Sequence, residues 1–354
     1  MKFTTSSPLA TLLLLSIFIF NACTPTDEKP FSDYSVGTFI LCEGANGGNG
    51  SVSFYNRTSK SIKNDIFATA NNAAALGNTP VSMTLLGKNI YIPVNNSDKL
   101  QIVEANTFLL QSNITGLSKP RYFEEVRRDI NGQQAYITEG GAGVTGDIRV
   151  IDISAKTKAV SIYRTVILNG IPDKIINVGA VTYILNKDEN DSTIFIMDSF
   201  AVDTLYKTLK VAPAPNSFVR DANGDIWVIC NPKTSKSQLV KVRFTNDNVY
   251  FDIQSNASSI ITDKTGYNLY YIANNKIWQK DLKNFGTNPP TLLEKQPSLT
   301  KPNGLGVDPI TGYLYIADAK DKTSNGQVYI LDVANKIIVD SVAVGVNPNG
   351  FLFR

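Results

Sequence analysis

The chain has 354 residues, 43% of them hydrophobic and 18% charged, which is the composition of a globular protein able to bury a large core rather than that of a disordered tail. Its 34 basic and 31 acidic side chains leave a net charge of +3, and no Lys/Arg cluster stands out, so no nucleic-acid footprint is expected. It contains no histidine, which excludes His-ligated zinc or haem, a Ser-His-Asp triad and a Cys-His dyad.

Residues 1–22 read as a lipoprotein signal peptide. A single charge at Lys2 precedes the apolar run Leu9 to Phe20, which is too short to span a bilayer, and Ala22 places a small residue directly before Cys23. The stretch resembles a bacterial lipobox, with Cys23 as the lipidated residue; the alternative is a secreted protein with an incidental cysteine. Acyl chains at about 0.8 kcal/mol per buried methylene would hold such a protein on a membrane without a spanning helix. Residues 23–36 read as a flexible polar tether. Its acidic pair Asp27-Glu28 resembles the surface-export signals of Bacteroidota lipoproteins.

From residue 37 onward one pattern returns seven times. The runs TFILCEG (38–44), IYIPVNN (90–96), AYITEGG (135–141), TYILNKD (182–188), IWVICNP (226–232), LYYIANN (269–275) and LYIADAK (314–320) are each a β-rich strand stopping on Glu, Asn or Asp. The stopping residues are Glu43, Asn95, Glu139, Asn186, Asn231, Asn274 and Asp318, at intervals of 52, 44, 47, 45, 43 and 44 residues. A further strand follows each run. Ahead of most lies a proline turn and a short strand: Pro80-Val81, Pro120-Arg121, Pro172-Asp173, Pro215-Asn216 and Pro302-Asn303, with Asn256-Ala257-Ser258 standing in for the sixth. Each unit is therefore a four-stranded antiparallel meander of some 45 residues, which is a propeller blade.

The spacing predicts an all-β, seven-bladed β-propeller over residues 37–354. Thr38 opens a second strand with no first strand ahead of it, and Asn347-Pro348-Asn349-Gly350 reads as a first strand with no blade behind it. The C-terminal strand is thus expected to complete the N-terminal blade, a velcro closure that removes two open sheet edges. Cys42 and Cys230 then occupy equivalent strands far apart around the ring and are expected to be buried free thiols. Trp227 and Trp278 fall within strand patterns and read as core residues.

The strand ends and the proline turns share one face, and the candidate ligand-binding residues gather there: Glu43, Asn95, Glu139, Asn186, Asn231, Asn274 and Asp318 from the strand ends, with Arg121, Tyr122, Asn216, Asn303 and Asn349 from the turns. A short polar side chain at a strand end can instead cap the turn's backbone N–H groups, as Asn and Asp do routinely. Glu43 and Glu139 fit that role less well, and the glycine-rich loops Gly44 to Gly50 and Gly140 to Gly146 behind them suggest open space above a site. Arg121-Tyr122 joins a five-donor fork to an aromatic plate; the alternative for Arg121 is a pair with Glu139 or Glu124.

The segments FILCEGANGGNGSVSFYN (39–56), VSMTLLGKNIYIPVNNSDKLQIVEANT (81–107) and TGLSKPRYF (115–123) resemble the YncE-like seven-bladed propeller lipoproteins of Bacteroidota. That group includes surface proteins seated over TonB-dependent transporters, among them the BtuG-type cobalamin-capture lipoproteins. The resemblance implies an outer-membrane, surface-exposed, non-enzymatic protein that binds a small ligand, with cobalamin or a related corrinoid as the cargo, or that docks on a TonB-dependent receptor. A second likeness, of Pro302 to Asp308 and Gly312 to Asp318, is to NHL and gluconolactonase-type propellers. It implies the alternative of a metal-dependent lactonase-like hydrolase holding Ca²⁺ with Glu43, Glu139, Asn186 or Asp318. A structural or adhesive surface protein is the third possibility.

Overall fold

A computed structural model describes residues 1–2, 33–129, 132–140, 145–153, 161–200, 203–286 and 288–354. The expected signal peptide beyond Lys2, the lipidation site Cys23 and most of the tether lie outside the described residues. Among those described, no helix is long and apolar enough to cross a membrane.

Residues 33–354 form one compact unit containing seven four-stranded antiparallel sheets. The chain is therefore a seven-bladed β-propeller. The first strands, which face the central channel, are Pro348–Phe353 in blade one, Thr84–Leu86, Pro120–Asp129, Pro172–Val178, Pro215–Arg220, Ser258–Thr262 and Pro302–Val307. Second strands carry the densest apolar runs because a neighbouring blade covers each of their faces. Gly37–Cys42, Ile226–Cys230 and Leu314–Asp318 are buried throughout.

The core lies between blades. Leu185, Ile194 and Ile196 of blade four interleave with Phe218, Val228 and Val240 of blade five, and Tyr91 stacks on Phe123 across blades two and three at a centroid distance of 4.2 Å. At about 1.5–3 kcal/mol for each fully buried large side chain, these interfaces are the main source of stability. Trp227 is fully buried, its indole N–H donating to Asp221 at 2.8 Å, while the half-buried Trp278 donates to the Ala273 carbonyl at 3.3 Å. Both fill the core positions expected of them.

The ring closes as the repeat count requires. Pro348–Phe353 pairs antiparallel with Gly37–Cys42, setting Phe39 opposite Leu352 and Ile40 opposite Phe351. Side chains brace the seam from blade one to blade seven, Arg57 pairing with Asp308 at 2.6 Å and the Tyr55 hydroxyl donating to Asp340 at 2.6 Å, while Arg57 also holds the end of the closing strand by donating to the Arg354 carbonyl at 2.7 Å. Cys42 and Cys230 are free and buried, and burial pushes both thiols up to about 12, so they are unreactive at neutral pH.

Two features depart from the sequence reading. Tyr34, placed in the tether, is only 2% exposed and packs against Phe39, Phe54 and Phe108, with its N–H bonded to the Asn106 carbonyl at 3.1 Å. The folded unit thus begins inside the expected tether, because the Tyr34 ring is part of the aromatic cluster that blades one and two bury. A short helix, Ile66–Ala70, follows the outer strand of blade one and buries Ile66 and Phe67 in the same cluster. It accounts for the long first interval of 52 residues between Glu43 and Asn95.

Candidate functional site

Most of the expected ring of strand-end residues clamps backbone. Glu139, 1% exposed, accepts the Ser118 N–H at 2.8 Å on one oxygen and Arg149 Nε at 2.7 Å on the other. Burial raises the pKa of its carboxyl, and the Ser118 and Arg149 donors partly offset that rise. Asp318 accepts the N–H groups of Thr300 at 3.0 Å and Lys301 at 2.7 Å, and Asn186 accepts that of Ile171 at 2.9 Å. Asn95 and Asn231 instead donate to the following blade, to the carbonyls of Pro120 at 3.3 Å and Ala257 at 3.0 Å. Asn274 stands apart: it is exposed and, with Asn275, forms a two-residue hairpin turn at φ values of 52° and 56°.

Glu43 alone of this set also lines the channel. It accepts the side-chain amides of Asn347 and Asn349, each at 2.6 Å, and Asn303 donates to Asn347 Oδ1 at 3.1 Å, so a relay of amides runs from blade seven to blade one. The four residues proposed as a Ca²⁺ set, Glu43, Glu139, Asn186 and Asp318, do not converge, since each serves the turn leading into its own blade. Among the described residues no three Asp, Glu or Cys side chains gather closely enough to share a metal ion.

The last glycine of each loop, Gly50 and Gly146, answers a packing need. A Cβ on Gly50 would lie 2.2 Å from Pro80 Cδ, and one on Gly146 would lie 2.1 Å from Pro172 Cδ. Gly326 repeats the arrangement against Pro348 at 2.3 Å. In each case the glycine starts a third strand and lets the proline of the next blade's first strand close over it. Residues 141–144 of the second loop lie outside the described residues.

The residues that surround the channel mouth are those directly after the turn prolines, with Ser258 after Ala257 standing in for blade six. Val81, Arg121, Asp173, Asn216, Ser258, Asn303 and Asn349, one per blade, all line a cavity of about 590 Å³. Proline fixes the chain's direction into the first strand. In blades three to seven the pairing register then slips within the next one to three residues, and such a bulge re-aims the side chain beside it. Four of the five expected turn residues, Arg121, Asn216, Asn303 and Asn349, hold these positions. Tyr122 also lines the cavity, half-buried, its phenol pushed above the usual tyrosine range by burial. Asp173 was missed as a site residue although Pro172-Asp173 follows the same pattern.

Arg121 pairs with neither Glu139 nor Glu124. Its Nε donates to Asp173 Oδ1 on the next blade, and Lys187 Nζ sits 3.3 Å from the other oxygen. Lys187 therefore belongs to the mouth. The Asp173 side chain is 4% exposed; burial opposes its charge, but Lys187 and Arg121 outweigh that effect and hold its pKa below the usual value. A second recess of about 680 Å³ shares Arg121, Lys187 and Asn216 and extends over blade five to Lys233. Asn216 is half-buried and lines both cavities, and Asn349 Oδ1 is buried without a partner. Within the channel, burial raises Glu124 to about 7, aided by Glu125 and resisted by the Asn177 N–H.

The fold and mouth define a seven-bladed propeller with a polar, mixed-charge channel entrance. The chain belongs to the family described as domain of unknown function DUF5074, whose profile matches residues 36–351. No curated protein matches the sequence. Among solved structures it is similar to a protein of Lactobacillus plantarum (14% identity, TM-score 0.66, covering 90% of this chain and 99% of that one). It is also similar to a proposed 6-phosphogluconolactonase of Bacteroides uniformis (15%, 0.65, 90% and 99%). A third is a quinonprotein alcohol dehydrogenase-like protein of Bacteroides thetaiotaomicron (14%, 0.65, 91% and 79%). At these identities the likeness is one of fold.

Proposed function

We propose that the protein is a non-catalytic binding module that seats a small polar molecule in the channel mouth. The observation that carries this reading is the ring of first-strand side chains around a cavity of about 590 Å³, a volume typical of small-ligand sites, with Asn349 Oδ1 buried and left without a partner. Binding is favoured over metal-dependent hydrolysis because the carboxylates expected as ligands are already committed to turns. The N-terminal sequence supports attachment through a lipid on Cys23, with the propeller displayed at an outer-membrane surface as in the YncE-like lipoproteins. A TonB-dependent receptor is the partner that reading implies, and cobalamin is the cargo to test first, its amide groups suited to Arg121 and Asn216.

The test is a thermal-shift and calorimetric screen of cobalamin and small polar metabolites, with chelator present, on the wild type and on Val81→Trp, which fills the mouth. Stabilisation of the wild type that is lost in Val81→Trp is expected. Lactone turnover that requires added Ca²⁺ would overturn the reading.

A further inference from the structure

We infer that the blade three to five sector of the mouth is an oxyanion subsite, so that the ligand carries a carboxylate or a phosphate ester. This rests on the binding reading and narrows its chemistry.

Arg121, Lys187 and Lys233 come from three successive blades and line one recess around Asn216. The acids in the same wall are Asp173, beneath Arg121, and Glu189, which is exposed. Asp173 is shared by two cations and can balance only one of them. Arg121 spends its Nε on that contact, and its two terminal amino groups have no partner among the described residues. A guanidinium used in this way keeps the half of its fork that accepts a carboxylate or phosphate side-on. Lys187 is 41% exposed and only 3.3 Å from Asp173, longer than a tight charged hydrogen bond, so its ammonium has donors to spare. Lys233 is exposed and held only by the neutral Asn190 Oδ1, at 3.2 Å. The rest of the recess adds neutral groups such as Asn231 and Asn256.

The opposite sector has the reverse character. Glu43 puts a negative charge there, its two oxygens held by the amides of Asn347 and Asn349, and Asn349 Oδ1 is an acceptor without a partner. An anion anchored at Arg121, Lys187 and Lys233 would therefore carry hydroxyl or amino donors at its other end, as a hydroxy acid or a polyol phosphate does. Asp173 holds the cations in place while the site is empty.

Calorimetric titration with glycerol 3-phosphate, glycerate and neutral glycerol, at low and raised ionic strength, tests this. Both anions, or one of them, should bind more weakly as salt rises, and glycerol should not bind. Lys187→Gln and Lys233→Gln, exposed positions that leave the core intact, should each weaken anion binding by about tenfold, the loss expected for one charge-assisted contact. Asp173→Asn, if folded, should tighten it. A preference for the phosphate or the carboxylate tells which anion the site takes. Anion binding within twofold of wild type in both lysine variants, or equal binding of glycerol, would sink the oxyanion subsite. If no anion binds while cobalamin or another neutral compound still stabilises the wild type but not Val81→Trp, the subsite falls and the binding module stands. If nothing binds at all, both fall.

Discussion

Arg121 and Asp173 lie on the first strands of neighbouring blades and join at the channel mouth, Nε to Oδ1, with Lys187 on the far side of the same carboxylate. Removing one member of a buried ion pair costs more than the pair itself contributes, because the remaining charge is stranded. Asp173→Ala is expected to lower unfolding stability by about 3–5 kcal/mol in urea titrations. The folded pKa of Asp173 is depressed, so its contribution is present above the unfolded aspartate value and fades as pH falls through the lower folded value. The variant should therefore lose less stability than wild type on acidification; equal acid sensitivity would count against the assignment.

Glu124 behaves in the opposite sense. Burial lifts its carboxyl to about 7, so the unfolded chain releases this proton more readily than the folded one. Its contribution is fully present below the unfolded glutamate pKa and is lost as pH rises to about 7. Glu124→Gln should raise the melting temperature by a few degrees at pH 8 and leave it unchanged at pH 4, as read by scanning calorimetry. A pH-independent effect would contradict the burial argument.

The closure strand supplies a third test. Truncation after Gly345 removes the partner of Gly37–Cys42 and the Arg57 contact with the Arg354 carbonyl. It exposes a fully buried strand along one open edge. The truncated protein should be largely insoluble or should melt at least ten degrees lower, roughly the effect of several kcal/mol in a domain of this size. A melting temperature within two degrees of wild type would refute a closed ring.

Glycine substitutions separate crowding from backbone strain. Gly50→Ala puts a methyl where Pro80 already sits and should cost roughly 2 kcal/mol or more, in the range of overpacked sites. Gly47→Ala meets nothing within 4 Å, and only its φ of +78° is unfavourable, so about 1 kcal/mol is expected. Equal losses in chemical denaturation would show that crowding at Pro80 is relieved at no cost.

The lipid anchor is tested by Cys23→Ser. With the acyl chains gone, the protein should move from the membrane pellet to the soluble fraction after cell fractionation. Retention in the pellet would exclude Cys23 as the attachment point.

The architecture was legible because seven strands ending on Glu, Asn or Asp are a period-45 signal that no single side chain can blur. The site was only half legible. A strand-end carboxylate such as Glu139 and a channel-facing one such as Asp173 look alike in the sequence. What separates them is the bulge after each turn proline, which turns the next side chain inward and depends on pairing that only the folded blade provides. Lys187 was hidden for a related reason: it belongs to blade four's loop, yet its partner sits on the turn leading into that blade's first strand. Asn274 misled because a strand-ending asparagine serves equally well in a two-residue hairpin turn.

The pairing of residues 348–353 with 37–42 also sets an order of events during synthesis. Blades two to seven each use a contiguous stretch of chain and can form as it leaves the ribosome. The innermost position of blade one stays vacant until residue 353 has emerged, so Phe39 and Ile40 must wait through nearly the whole of translation for their partners. Over that interval the nascent protein carries one unsatisfied β-edge, and chaperone dependence should be concentrated there.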